Sequence, residues 1–178
     1  GEDTAVQSIA VEANKDILSP LPVGTALLDG NYEGANKEAV HVLVEKAEGY
    51  AINVPPKAKE VVGIRIDANA RVANRFQFIV GEGAELEVQF YVTGSGDALT
   101  NVSYLIEYDV KEAGKVVVKK VNLLPEHVQH IEHRYTKLEE KADVEYINIE
   151  IGGSENILNY YHDLVGQESR MVHDIAYL

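Results

Sequence analysis

The sequence contains no cysteine. That absence excludes disulfides, thiolate metal sites and a cysteine nucleophile among these residues, and it leaves the redox compartment open. Basic residues are scarce, with 16 Lys and Arg against 29 Asp and Glu and a formal charge of -13. Such a surface repels nucleic acid and anionic lipid, so no nucleic-acid or membrane partner is expected. There is no apolar run of about 18 residues or more and no basic-then-apolar leader, which argues against a membrane span or a retained signal peptide. What is present is 178 residues with 46% hydrophobic content, enough to bury the core of one ordinary domain or one solenoid block.

Residues 1–36 mix polar and apolar positions without a period, and Pro20 and Pro22 interrupt any regular element between Leu18 and Val23. This stretch reads as an irregular lead-in with one edge strand. From Lys37 to Lys46 two readings compete: a short helix capped by Asn36, or a strand on which Val40, Val42 and Val44 alternate. Tyr50, Ile52 and Val54 share one strand face, and Pro55-Pro56 ends that strand because proline cannot donate to a ladder.

The clearest motif is Gly81-Glu82-Gly83-Ala84, a tight acidic corner followed by alternating apolar residues from Leu86 to Val92. Corners of the same kind recur at Lys111-Glu112-Ala113-Gly114, Glu139-Glu140-Lys141-Ala142 and Gly166-Gln167-Glu168-Ser169, with small residues 30, 28 and 27 positions apart. A period of that length is the mark of stacked coils. An antiparallel sandwich would need hairpins, yet no corner carries Asn-Gly or Asp-Gly to accept a type I′ turn. In a parallel stack each corner lies about 4.8 Å above the last, so a bulky side chain there would clash with the next coil. The fold class predicted for residues 37–178 is therefore an all-β parallel β-solenoid, held by inward stacks of apolar and tyrosine side chains.

Several constellations suggest chemistry. His127, His130 and His133, with Glu126 and Glu132 between them, have residue types suited to a divalent metal. On a strand, however, His127 and His133 stand about 20 Å apart and His130 faces the opposite side, so a solvated polar strand or loop is expected there. His162-Asp163 and His173-Asp174 are sequence neighbours that a strand sends to opposite faces, so neither makes a ready dyad. Gly81 to Ala84 superficially resembles a phosphate loop but carries a glutamate and opens a strand instead of a helix. Gly94-Ser95-Gly96-Asp97 echoes a single calcium-binding β-roll turn without its neighbour, and is expected to be a surface loop. Tyr104, Tyr108 and Tyr146 could form a sugar platform but more readily fill a core. No catalytic, cofactor or metal residue is assigned.

An ordered set of motifs from residue 39 to the end resembles a known family. It comprises Gly49-Tyr50-Ala51-Ile52-Asn53-Val54-Pro55, the corner Glu82-Gly83-Ala84, a strand ending near Arg134, the corner Glu139 to Ala142, the pair Gly152-Gly153, and Asp163-Leu164-Val165-Gly166-Gln167-Glu168-Ser169. This is similar to the SufB/SufD family of iron-sulfur cluster assembly scaffolds. The resemblance implies a right-handed parallel β-helix, a SufC-like ABC ATPase as partner, a second SufB/SufD-like subunit, and a cytoplasmic, non-enzymatic scaffold. The resemblance implies that family members continue through further coils and a helical C-terminal region that engages the ATPase, and that the cluster-related cysteine and its glutamate or histidine partner lie in that later part. The chain is thus expected to be the N-terminal part of such a core, with no cofactor of its own and with self-association through its terminal rung. Ser169 stands where the family usually has alanine, and Pro56 where it often has glycine. The alternatives are a stand-alone β-solenoid adaptor and a carbohydrate-binding or carbohydrate-active β-helix.

Overall fold

A computed structural model describes residues 9–28, 36–68, 72–94, 100–152 and 155–178. In chain order it contains β1 (Ile9–Glu12), β2 (Leu18–Leu21), α1 (Lys37–Lys46), β3 (Gly49–Val54), β4 (Lys59–Asp67), β5 (Val72–Val80) and β6 (Glu85–Thr93). Then follow β7 (Thr100–Val110), β8 (Lys115–Asn122), β9 (Val128–Leu138), β10 (Asp143–Glu150), β11 (Glu155–Leu164) and β12 (Arg170–Tyr177). Strands β4, β6, β8, β10 and β12 stack in parallel as one sheet, and β3, β5, β7, β9 and β11 stack in parallel as the other. Each coil is a strand of the second sheet, a tight corner and a strand of the first: a parallel β-solenoid of two facing sheets. Among the described residues, no helix is long and apolar enough to cross a membrane.

The recurring corners set the register. Glu85 pairs with Lys115, Lys115 with Asp143 and Asp143 with Arg170, so Ala84, Gly114, Ala142 and Ser169 stand directly above one another. Ala84 and Ala142 are fully buried. A Cβ on Gly114 would approach Val110 Cγ1 to 2.7 Å and Lys111 O to 3.1 Å. The stack therefore enforces small residues at these positions. A further corner, Pro55-Pro56-Lys57-Ala58, precedes the four legible in the sequence, and Lys59 pairs with Glu85. In each of the first four corners the last residue donates its N–H to the carbonyl of the first, for example Ala58 to Pro55 at 3.1 Å and Ala84 to Gly81 at 3.0 Å.

The third residue of every corner is left-handed: Lys57 (φ 64), Gly83 (φ 64), Ala113 (φ 57), Lys141 (φ 59) and Glu168 (φ 60). Only one of the five is glycine, although this region disfavours side chains by about 1–2 kcal/mol. Coil-to-coil hydrogen bonds hold it: the N–H groups of Lys57, Gly83, Ala113 and Lys141 donate at 2.9 Å to Glu82, Glu112, Glu140 and Gln167 of the next coil.

The lead-in departs from the sequence reading. It supplies two edge strands instead of one: β1 runs antiparallel to β4 and β2 antiparallel to β3, closing the first rung of both sheets. Pro20 lies inside β2, a position tolerated because β2 is the outermost strand of its sheet. Residues 37–46 resolve as a helix, with Val40 and Leu43 buried three apart and Val42 half exposed, a spacing a strand cannot produce. The helix packs on the outer face of the second sheet, where Val40, Leu43 and Ala47 meet Leu105.

Candidate functional site

The interior changes character along the solenoid axis. In the first sheet one inward column runs Ile64, Phe90, Lys120, Asn148, Ile175, and the next runs Ile66, Val92, Asn122, Glu150, Tyr177. In the second sheet the facing columns run Phe76, Ile106, Arg134, Tyr160 and Asn74, Tyr104, Glu132, Leu158. The early coils are filled by Ile64, Phe76, Phe78 and Phe90, all at most 2% exposed, whereas β8 and β9 turn charged side chains inward.

Three of those charges form a linked group. Lys120 Nζ donates to Glu132 Oε1 at 2.6 Å, and Arg134 Nη2 lies 2.6 Å from Glu132 Oε2. All three are between 1% and 3% exposed. Lys120 also reaches His130 Nε2 at 2.9 Å and stands 5.0 Å from the centroid of the Tyr104 ring, while the Tyr104 hydroxyl meets the same imidazole nitrogen. The Arg134 guanidinium lies 3.7 Å from the centroid of the Tyr146 ring, whose hydroxyl shares a 3.0 Å hydrogen bond with Thr136. With neutral imidazoles the two cations outnumber the one carboxylate.

Burial by itself would raise the Glu132 carboxyl, but Arg134 and Lys120 hold it down at about 2. Burial, reinforced by Lys120, pushes the His130 imidazole down to about 3, so it is neutral at pH 7. His162 is lowered to about 4 by burial, by Arg134 and by His173, and His173 is lowered by burial and Arg134. Burial raises the Tyr104, Tyr108 and Tyr146 hydroxyls, which stay protonated.

Beside this group lies a chamber of about 100 Å³ lined by Lys120, His130, Glu132, Asn148, Glu150 and Asn156, with Ile175 and Tyr177 at its mouth. Asn122 Nδ2 donates to Asn156 Oδ1 at 2.8 Å across the coil. Asn148 Oδ1 and His162 Nδ1 are buried without a hydrogen-bond partner among the described residues. The chamber has room for a few waters or one small polar group. It holds no thiol, and its carboxylates among the described residues are Glu132, tied up by two cations, and half-buried Glu150, raised by burial. Among the described residues the chamber is lined by paired charges, amides and a neutral imidazole.

The candidate residues fall as follows. His127 precedes β9, His130 points inward and His133 outward, so the three do not converge; no group of three or more His, Cys, Asp or Glu is placed to hold a metal among the described residues. The expected solvated strand is overturned, since His130, Glu132, His133 and Arg134 are all at most 4% exposed. His162 and His173 point inward from the last coil, away from Asp163 and Asp174, and meet around Tyr160, whose ring centroid lies 5.0 Å from His162 and 6.4 Å from His173. Tyr104, Tyr108 and Tyr146 are at most 1% exposed and cannot act as a sugar platform. Gly81 to Ala84 is a corner leading into β6. Of the calcium-like turn, Ser95, Gly96 and Asp97 lie outside the described residues.

The charged interior escaped the sequence reading, although a signal was there. Counting back by twos from inward Leu138 places Thr136, Arg134, Glu132 and His130 on the inward face of β9.

The SUF system FeS cluster assembly, SufBD core domain, model matches residues 64–178, from the middle of β4 through the last coil. No curated protein and no solved structure matches the chain.

Proposed function

The chain belongs to the SufBD core domain family and has a SufB/SufD-like role in iron-sulfur cluster assembly; on that premise we propose that it is a non-catalytic cytoplasmic scaffold working with an ABC-type ATPase. The observation that carries this reading is the match over residues 64–178, which coincides with the coils from β4 onward. The site chemistry accords with it: among the described residues the interior offers paired charges and neutral imidazoles. The cluster is cargo of the assembled complex, and without cysteine this chain is expected to retain none on its own.

A second SufB/SufD-like subunit, or a second copy of this chain, is proposed to pair with the last coil. Among the described residues, the inward side chains Tyr160, Leu164, Ile175 and Tyr177 of that coil are 59%, 53%, 45% and 77% exposed, and no described strand pairs with the outer edges of β11 and β12. Unpaired edges beside apolar side chains recruit further strands.

The test is co-purification of the full-length gene product with a SufC-like ABC ATPase, followed by anaerobic reconstitution. Retention of the ATPase, with cluster absorbance only in the complex, supports the reading. Failure to bind the ATPase, or a stoichiometric cluster on this chain alone, overturns it. For the pairing, Ile175→Asp should shift light scattering from a concentration-dependent assembly to a monomer; a wild-type monomer at high concentration, with or without a second subunit, refutes it.

A further inference from the structure

The outer face of the β3-β5-β7-β9-β11 sheet holds a cavity of its own, apart from the interior chamber. Helix α1 covers only part of that face, and between the helix and strands β7 and β9 lies a space of about 460 Å³. Val42 and Leu43 form its helical wall, Ser103 and Ile131 its floor, and Lys46 and His133 contribute polar ends. That volume is within the usual range for sites that take small organic molecules, and the mixture of apolar walls with a few polar groups is typical of them.

Two features say what would fit. His133 is 4% exposed and its Nδ1 has no hydrogen-bond partner among the described residues. A buried polar nitrogen left unpaired costs about 1–3 kcal/mol, so a guest that draws the imidazole toward the cavity and pairs it is favoured. Burial also lowers the His133 pKa, keeping the ring neutral at pH 7 with one donor and one acceptor nitrogen. The second feature is charge. In a chain of formal charge -13 this cavity is lined, among the described residues, by a lysine and by no carboxylate.

We propose that the cavity binds a small amphipathic organic anion. Its apolar body lies between Val42 or Leu43 and Ile131, a hydrogen-bonding group meets His133, and a carboxylate or sulfonate lies at Lys46. The site is separate from the interior chamber, because His133 points outward from β9 while Glu132 and Arg134 on either side point inward.

The probe is anilinonaphthalene sulfonate, titrated into the full chain by fluorescence while the His133 imidazole ¹⁵N resonances are followed. The solenoid end also offers apolar surface, so Ile175→Asp serves as the control for dye bound there. One saturable phase is expected that moves the His133 resonances, persists in Ile175→Asp and weakens about tenfold or more in Lys46→Glu. Ala39→Trp, which fills the cavity from an exposed helix position, should abolish that phase while the circular dichroism stays unchanged. Unmoved His133 resonances, loss of the phase in Ile175→Asp, or equal binding by Lys46→Glu and Ala39→Trp would overturn the proposal.

Discussion

Replacing Glu132 by glutamine should be among the most destabilising conservative changes in this protein. The carboxylate is 1% exposed and lies 2.6 Å from both Lys120 Nζ and Arg134 Nη2. Neutralising it leaves two buried cations facing each other with no anion between them. Breaking a buried pair in this way costs about 3–5 kcal/mol. The depressed pKa points the same way: a carboxyl at about 2 in the folded chain against 4.5 for the unperturbed group corresponds to about 3 kcal/mol. Because the folded pKa is the lower one, this stabilisation is complete above the unfolded value and disappears as pH falls from 4.5 toward about 2. Urea melts followed by circular dichroism at pH 7 should therefore show Glu132→Gln losing about 3 kcal/mol, with a midpoint about 10 °C lower in thermal melts. The variant should also lose the steepest part of the acid dependence. The apolar triple variant Lys120→Met, Glu132→Leu, Arg134→Met is expected near wild-type stability, since the Lys120 column begins with Ile64 and Phe90. A Glu132→Gln loss below about 1 kcal/mol, or a triple variant as unstable as the single one, would refute the argument that paired charge sets the energetics.

Acid should act on the imidazoles before it reaches the carboxylate. His130 at about 3 and His162 at about 4 both lie below the unfolded 6.5, so their contribution is whole above 6.5 and is lost as pH falls from there; His130→Gln should flatten the stability profile between pH 6.5 and 4. At the corners, Lys141→Gly removes left-handed strain at φ 59 and should gain up to about 1 kcal/mol, while Gly83→Ala, at φ 64 with only Lys57 Cγ nearby at 3.7 Å, should lose about the same in urea melts. On the outer face, Glu107 accepts from Arg75 Nη2 at 2.9 Å, Gln77 Nε2 at 3.1 Å and Leu28 N at 2.6 Å, tying the lead-in to the sheet. Glu107→Ala should cost about 3 kcal/mol or more and speed amide exchange at Leu28 far more than at Val110.

The periodic elements were legible for a geometric reason. Parallel stacking repeats the same steric demand at each coil, so Ala84, Gly114 and Ala142 had to be small wherever the chain turned. The corner at residues 55–58 was concealed because Pro55-Pro56 reads as a strand terminator; proline is also well suited to the second position of a turn, and here it does both. Helix α1 stayed undecided because Val40, Val42 and Val44 satisfy either period until the sheet buries Val40 and Leu43 and leaves Val42 outside. The histidines showed the reverse problem. Their residue types suggested a metal, and only the strand phase separates His130 from His133.

The sequence by itself determined the solenoid, its corners, the absence of thiol chemistry and the acidic exterior, because each follows from residue type and spacing along one chain. Tertiary structure alone decided that Lys120, Glu132 and Arg134 meet, since they come from two strands facing each other across the interior and spacing carries no record of which columns face. It also decided that His133 lines a cavity under α1, because that contact joins residues about ninety positions apart and depends on where the helix comes to rest.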